Sequence, residues 1–319
     1  MRRLLRRSAY AALAIPSQPT IRSISSSCAR LKDPRTGQIV NDFAHLRDTY
    51  ATPKHPLVLA HGLFGFAELR LPVLPTIYYW HGIREALLAN KATVITPSVP
   101  PSSAISHRAE HLAAHIQRSV PPGTPVNILA HSMGGLDSRY LISRLKGHNV
   151  KIASLTTIAT PHRGSPVADL LVEPDAAGPI HLPRLYGVLS RLGLGTEAFE
   201  QLTTRYMREQ FNPQTPDAAD VRYFSYGADM MGPPGLFNTF RYSFGVINKV
   251  EGPNDGLVSV ESSRWGEYQG TLMGMNHLDL INWQNRLRWA VRGWMGMAKT
   301  FNAVAFYMGI ADMLAKEGL

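Results

Sequence analysis

Cysteine is almost missing: among 319 residues only Cys28 carries a thiol. A single thiol near the amino terminus excludes an intramolecular disulfide, and it denies the rest of the chain a cysteine-ligated metal centre, so stability rests on packing. Acids are missing from the first thirty-two residues, while Arg2, Arg3, Arg6, Arg7, Arg22 and Arg30 fall within that stretch. Long apolar runs are missing as well. The best, Phe301 to Leu314, falls short of the ~20 uncharged residues that span a bilayer and contains Asp312. No repeat is visible. Subtracting those six arginines from the formal +10 leaves +4 beyond residue 30, a modest excess that points to no nucleic-acid partner. What remains, 45% hydrophobic and 18% charged, excludes wholesale disorder and suits one elaborated domain over residues 31–319.

Residues 1–30 read as a targeting leader. Arg2, Arg3, Arg6 and Arg7 alternate with Leu4, Leu5, Ala9, Ala12 and Leu13 at helical spacing, as in a mitochondrial presequence, and Arg22 followed by Ser23 to Ser27 offers processing around residues 23 to 31. The rival is a secretory signal, whose apolar core would be Ala9 to Ile15, stopped by Pro16.

Beyond the leader, short aliphatic runs alternate with longer helical patterns, the rhythm of an α/β fold: a mainly parallel sheet with helices on both faces. Strands are expected near Leu57 to Ala60, Thr93 to Thr96, Val126 to Ala130, Ile152 to Ala159, Arg222 to Gly227 and Thr271 to Gly274. Helices are expected over Ile83 to Asn90, Ser103 to Ser119, Met133 to Lys146, Phe199 to Gln210 and Leu278 to Trp294.

Val126 to Ala130 runs into His131-Ser132-Met133-Gly134-Gly135 and then a helical pattern, so Ser132 sits at a strand-to-helix turn. Such an elbow exposes the hydroxyl but leaves room only for small residues two before and two after it, here Ala130 and Gly134. The helix that follows aims its positive end at a developing oxyanion. A serine hydroxyl is a weak nucleophile without a base, and the base needs an acid behind it to fix its tautomer. On this kind of fold the order is serine, acid, histidine. Asp255, before the Gly256 turn, and His277, just after an expected strand, fit that order. A second oxyanion donor belongs on the loop after an early strand. His61-Gly62-Leu63 follows Leu57 to Ala60, so the donors are expected at the amides of Leu63 and Met133.

Six blocks carry a family resemblance: His61 to Phe66, Tyr79 to Ile83, Ala130 to Gly135, Ala159 to Ser165, Asn254 to Val258, and Met275 to Asp279. In that order they resemble the triacylglycerol lipases of the Pseudomonas and Burkholderia type and their fungal mitochondrial relatives, which are α/β-hydrolases. The usual elbow glycine is replaced here by Ala130. The resemblance implies hydrolysis of long-chain acylglycerols at a lipid surface by Ser132, Asp255 and His277, and it implies no cofactor for the chemistry. It also implies a calcium ligand at Asp279. The second aspartate of that site has no counterpart, and its glutamine position falls on Trp283 beside Gln284. The disulfide of some relatives cannot form.

The resemblance further implies that residues from about 165 to 210 form a helical lid. There Leu182, Leu185, Tyr186, Leu189 and Leu192 recur at helical spacing. Met230, Met231, Phe237, Phe240 and Phe244 offer soft apolar surface for an acyl channel. His107, His111 and His115 share a helical face, read as a solvated face rather than a metal site. The same fold also admits a short-chain esterase, a phospholipase, an acyltransferase, or a lipid-binding protein without turnover.

Overall fold

The computed structural model describes residues 37–63, 68–71, 74–172, 197–235, 238–282 and 301–319. The chain divides into two units, Met1–Thr36 and Gly37–Leu319. The expected leader and the expected helix around Leu182 to Leu192 both lie outside the described residues.

Nine strands are described: Gln38–Ile39 (β1), Leu57–Ala60 (β2), Glu68–Leu71 (β3), Leu74–Tyr78 (β4), Val94–Ile95 (β5), Pro125–His131 (β6), Lys151–Ile158 (β7), Arg222–Asp229 (β8) and Glu267–Met273 (β9). Seven form one sheet in the order β1-β9-β8-β7-β6-β2-β5, and every pairing in it is parallel. β3 and β4 form a separate antiparallel ribbon. Parallel strands need long crossovers, which is why helices intervene and both faces are covered.

Side chains alternate across the sheet as the two-residue period demands. Val58, Ala60, Val126, Ile128 and Ala130 enter one apolar layer, with Ala109, Leu112 and Ile116 of helix Ile105–Ser119 (α2) and Leu141 of helix Gly134–Ser143 (α3). Leu57, Leu59 and Leu129 point the other way, into a layer with Ile83 and Leu87 of helix Ile83–Ala89 (α1) and Phe306, Tyr307 and Ile310 of helix Ala303–Lys316. Each such aliphatic side chain contributes about 1.5–3 kcal/mol on burial.

The helix expected over Phe199 to Gln210 is broken into Glu197–Gln201 and Thr204–Tyr206, and a π-turn over Met207–Phe211 follows. The break lies at Thr203, whose extended backbone and hydroxyl cap the second piece by accepting the Tyr206 N–H. After His277 the backbone forms only a short 3-10 turn, Asp279–Ile281, ended by Asn282 in the left-handed region (φ 63°). Residues 283–300 lie outside the described part. Among the described residues no helix is long and apolar enough to cross a membrane.

Candidate active site

Ser132 has φ 56°, a left-handed conformation costly for any residue with a Cβ. Three bonds hold it there: its N–H donates to Ile158 O at 2.9 Å, while its carbonyl accepts from the Thr160 hydroxyl at 2.7 Å and the Gly135 N–H at 3.1 Å. Close packing fixes the neighbours. A Cβ on Gly62 would stand 2.7 Å from the Ser132 Cβ, and one on Gly134 would stand 2.6 Å from Ala60 O, so both positions need glycine. Ala130 stands where the family's elbow has glycine, and its methyl lies in the strand's apolar layer with Ala60.

His277 lies just after β9 and Asp255 in the turn after helix Arg241–Val250, and the two meet although 22 residues separate them. His277 Nδ1 lies 2.6 Å from Asp255 Oδ2, and the His277 N–H donates to Asp255 O at 3.0 Å. The other carboxylate oxygen, Oδ1, accepts from the Leu257 and Val258 amides at 2.9 and 2.7 Å, which anchors the acid in its turn. Both residues are buried.

Ser132, His277, His131 and Leu63 line one cavity of about 590 Å³. Its walls are largely apolar, with Val167, Leu171, Phe199, Leu202, Phe240 and Ile281 among them. Of the residues expected to form an acyl channel, Phe240 lies here, whereas Met231 and Phe244 line a separate hollow of about 380 Å³ beside Asp229. Phe237 is outside the described residues. Among those described, neither the Leu63 nor the Met133 amide is spent on a protein hydrogen bond.

Composition and spacing did not expose what fixes the His61-Gly62-Leu63 loop. Arg108 of α2 is fully buried and donates to Asp137 Oδ2 at 2.9 Å, to the carbonyls of His61 and Gly62 at 3.0 and 3.2 Å, and to Pro100 O at 2.7 Å. The available signal was a cation on an apolar helical face, with Ile105, Ala109 and Leu112 around it. Burial raises Asp137 to about 6, with Arg108 opposing the shift. His61 accepts the Val99 N–H at Nε2 and lies 3.0 Å from Gly62 O at Nδ1; burial, then Arg108, lowers it to about 4. It is therefore neutral at pH 7.

The two sides of the expected insertion are fastened together. Asp169, in helix Pro166–Val172 (α4), accepts both the N–H and the hydroxyl of Thr204 at 2.7 Å, and the Ser165 N–H donates to Leu202 O at 3.0 Å. Gly164 (φ 83°) lies so close to Thr204 that a Cβ there would stand 2.6 Å from its backbone.

Asp279 is buried with Oδ2 accepting the Asn276 N–H at 3.1 Å, and among the described residues no three ligating side chains cluster anywhere. Trp283 and Gln284, where the resemblance implies another part of a calcium site, lie outside the described residues. His107 and His111 are exposed with ring centroids 4.7 Å apart, and His115 is half-buried.

A parallel sheet carrying a strained serine after β6, with an acid and a histidine beyond β8 and β9, defines an α/β-hydrolase. Solved structures share the fold. A Staphylococcus hyicus lipase matches with TM-score 0.63 at 21% identity, covering 85% of this chain and 98% of that one. A mature Bacillus licheniformis lipase matches with TM-score 0.57 at 23% identity, covering 81% and 96%. No family model matches the sequence. Triacylglycerol lipase 2 of Saccharomyces cerevisiae is 36% identical over 90% of this chain and 99% of that protein. A Vibrio cholerae triacylglycerol lipase is 29% identical over 85% and 90%. The chain belongs to the triacylglycerol lipase family.

Proposed function

We propose that the protein hydrolyses the carboxylic esters of long-chain acylglycerols through an acyl-enzyme on Ser132. The observation that carries this reading is the 2.6 Å pairing of His277 with Asp255 at a cavity shared with Ser132. His277 takes the hydroxyl proton through Nε2, the Ser132 oxygen adds to the ester carbonyl, and the amides of Leu63 and Met133 receive the negative oxygen. The imidazolium, steadied by Asp255 at Nδ1, then gives its proton to the departing alcohol. Water repeats the cycle and frees the fatty acid. The apolar cavity accommodates an acyl chain, and the insertion over about 165–210 serves as a lid that moves aside at a lipid surface.

The test is hydrolysis of emulsified triacylglycerol together with fluorophosphonate labelling. Ser132→Ala should abolish labelling and lower kcat about 10⁵-fold. Equal turnover by wild type and variant would sink the reading, and activity confined to short soluble esters would remove the long-chain part. The leader supports a mitochondrial destination. Residues 1–30 fused to a fluorescent protein should enter mitochondria, and export by the secretory route would contradict this.

A further inference from the structure

Tyr79 opens the Tyr-Trp-His-Gly-Ile block of residues 79–83, to which the reaction just outlined gives no task. It is buried, with its ring centroid 5.6 Å from that of His61 and 6.0 Å from that of His131, and edge-on to Trp80 at 5.0 Å. Strand alternation explains the meeting with His131: residue 131 follows Leu129 by two along β6 and so faces the same layer, which contains Tyr79.

The phenol oxygen accepts the Gly62 N–H at 3.2 Å and stands 2.7 Å from His131 Nδ1. The phenol has a proton of its own to give, and donating it to Nδ1 would put the imidazole proton on Nε2. His131 is 1% exposed, and its ring faces the main chain of His277 as well as the phenol. The His131 ring lies 4.6 Å from the His277 ring, tilted by 45°, while Asp255 holds His277 at Nδ1.

We propose that Tyr79 and His131 are positioning residues for the hydrolytic reaction. The phenol fixes the Nε2–H tautomer of the ring that abuts His277, and through Gly62 it ties that ring to the loop carrying the Leu63 amide. The inference rests on the serine-hydrolase reading. It explains why a histidine, rather than an aliphatic residue, precedes Ser132. The neighbouring ring has to stay neutral when His277 takes the serine proton, since two imidazolium rings in contact repel. Burial, then the nearby His277, holds the His131 pKa well below the usual imidazole value. Donation from Tyr79 works in the same direction, because it occupies the lone pair that a second proton would need.

The experiment uses the full chain with a soluble p-nitrophenyl ester and nitrogen NMR of the histidine rings. Tyr79→Phe keeps the ring and removes the hydrogen bond. It should lower kcat about tenfold with KM within twofold, and convert His131 from a fixed Nε2–H signature to a mixture of tautomers. His131→Gln, which retains an acceptor and a donor, should keep several-fold more activity than His131→Leu. Adding Tyr79→Phe to His131→Leu should cost less than Tyr79→Phe alone costs, because the phenol acts partly through the imidazole and partly through the Gly62 N–H. An unchanged kcat in Tyr79→Phe, a rise in KM alone, or additive losses in the double variant would overturn the proposal. A wild type as inert as Ser132→Ala would instead sink the serine-hydrolase reading, and the ring spectra would still decide the tautomer.

Discussion

Two buried arginines, Arg108 on α2 and Arg139 on the elbow helix α3, are treated differently by the fold. Arg108 meets the Asp137 carboxylate directly, with 2.8 Å between Nη2 and Oδ2, and uses its remaining donors on main-chain carbonyls. Arg139 touches no carboxylate among the described residues. Its guanidinium lies 3.6 Å above the Trp265 ring and donates to Asn212 Oδ1 at 2.9 Å and Thr215 O at 3.1 Å, with His162 Nδ1 at 3.4 Å. The closest acid acting on it, Asp217, is taken up by the Trp265 indole N–H at 3.0 Å. Burial accordingly lowers Arg139 to about 10, with Asp217 partly offsetting the shift. Beside the oxyanion loop the charge is cancelled on the spot and holds carbonyls in place. Behind the elbow it is spread over an aromatic face and neutral acceptors.

The largest effect should come from Arg108→Met, which strands the Asp137 carboxylate and frees the loop carbonyls. A loss of about 3–5 kcal/mol in urea unfolding is expected. A fall in kcat of about a hundredfold should accompany it, as for a misplaced oxyanion donor. If Arg139→Met cost as much on both counts, the two arginines would be equivalent after all.

Acid sharpens the contrast next. His61 falls from 6.5 to about 4, and His131 and His162 lie well below 6.5, so the unfolded chain binds more protons than the folded one between those values. Stability contributed by these neutral rings is complete above pH 6.5 and is lost as pH falls toward 4, of the order of 3 kcal/mol for His61 alone. Asp137, raised from 3.8 to about 6, opposes them, since its protonated form gains as pH falls through 6. With His55 and His115 lowered as well, the histidines outweigh the raised acids Asp137 and Glu251 and predict a Tm that drops from pH 7 to pH 5. A flat or rising Tm over that window would contradict it.

Arg139→Met should cost less, about 2 kcal/mol, because it leaves no buried charge behind, and kcat should stay within about threefold. Smallest is Trp265→Phe, about 1 kcal/mol, which keeps an aromatic face but gives up the indole bond to Asp217. Thermal melts rank the two. A reversed order would place the hold on Arg139 in the ring rather than in Asn212 and Thr215.

Much of the sheet was legible because parallel strands buried on both faces read as aliphatic or β-branched runs, as Leu57 to Ala60 and, with its threonines, Ile152 to Ile158 do. The catalytic candidates were legible because Ser132 sits in a motif that constrains its neighbours and because chain order selects Asp255 and His277. Helix Ala303–Lys316 was not read as a helix, since burial of Phe306, Tyr307, Met308, Ile310 and Leu314 around most of its circumference erases the polar stripe that marks one. Arg108 and Asp137 escaped for another reason. Their partners lie 29 residues apart, and a pairing of that kind leaves no period in the sequence. On α2 the histidines at 107, 111 and 115 draw the eye, yet the arginine between the first two faces inward to the loop.

The Asp169–Thr204 fastening has a practical corollary. It pins the anchor points on either side of residues 173–196 to each other, so the frame sets the span that any joining stretch has to bridge. A substitute stretch of matching span should therefore leave the Asp255–His277 pair and the Ser132 turn in place, as undiminished fluorophosphonate labelling would register.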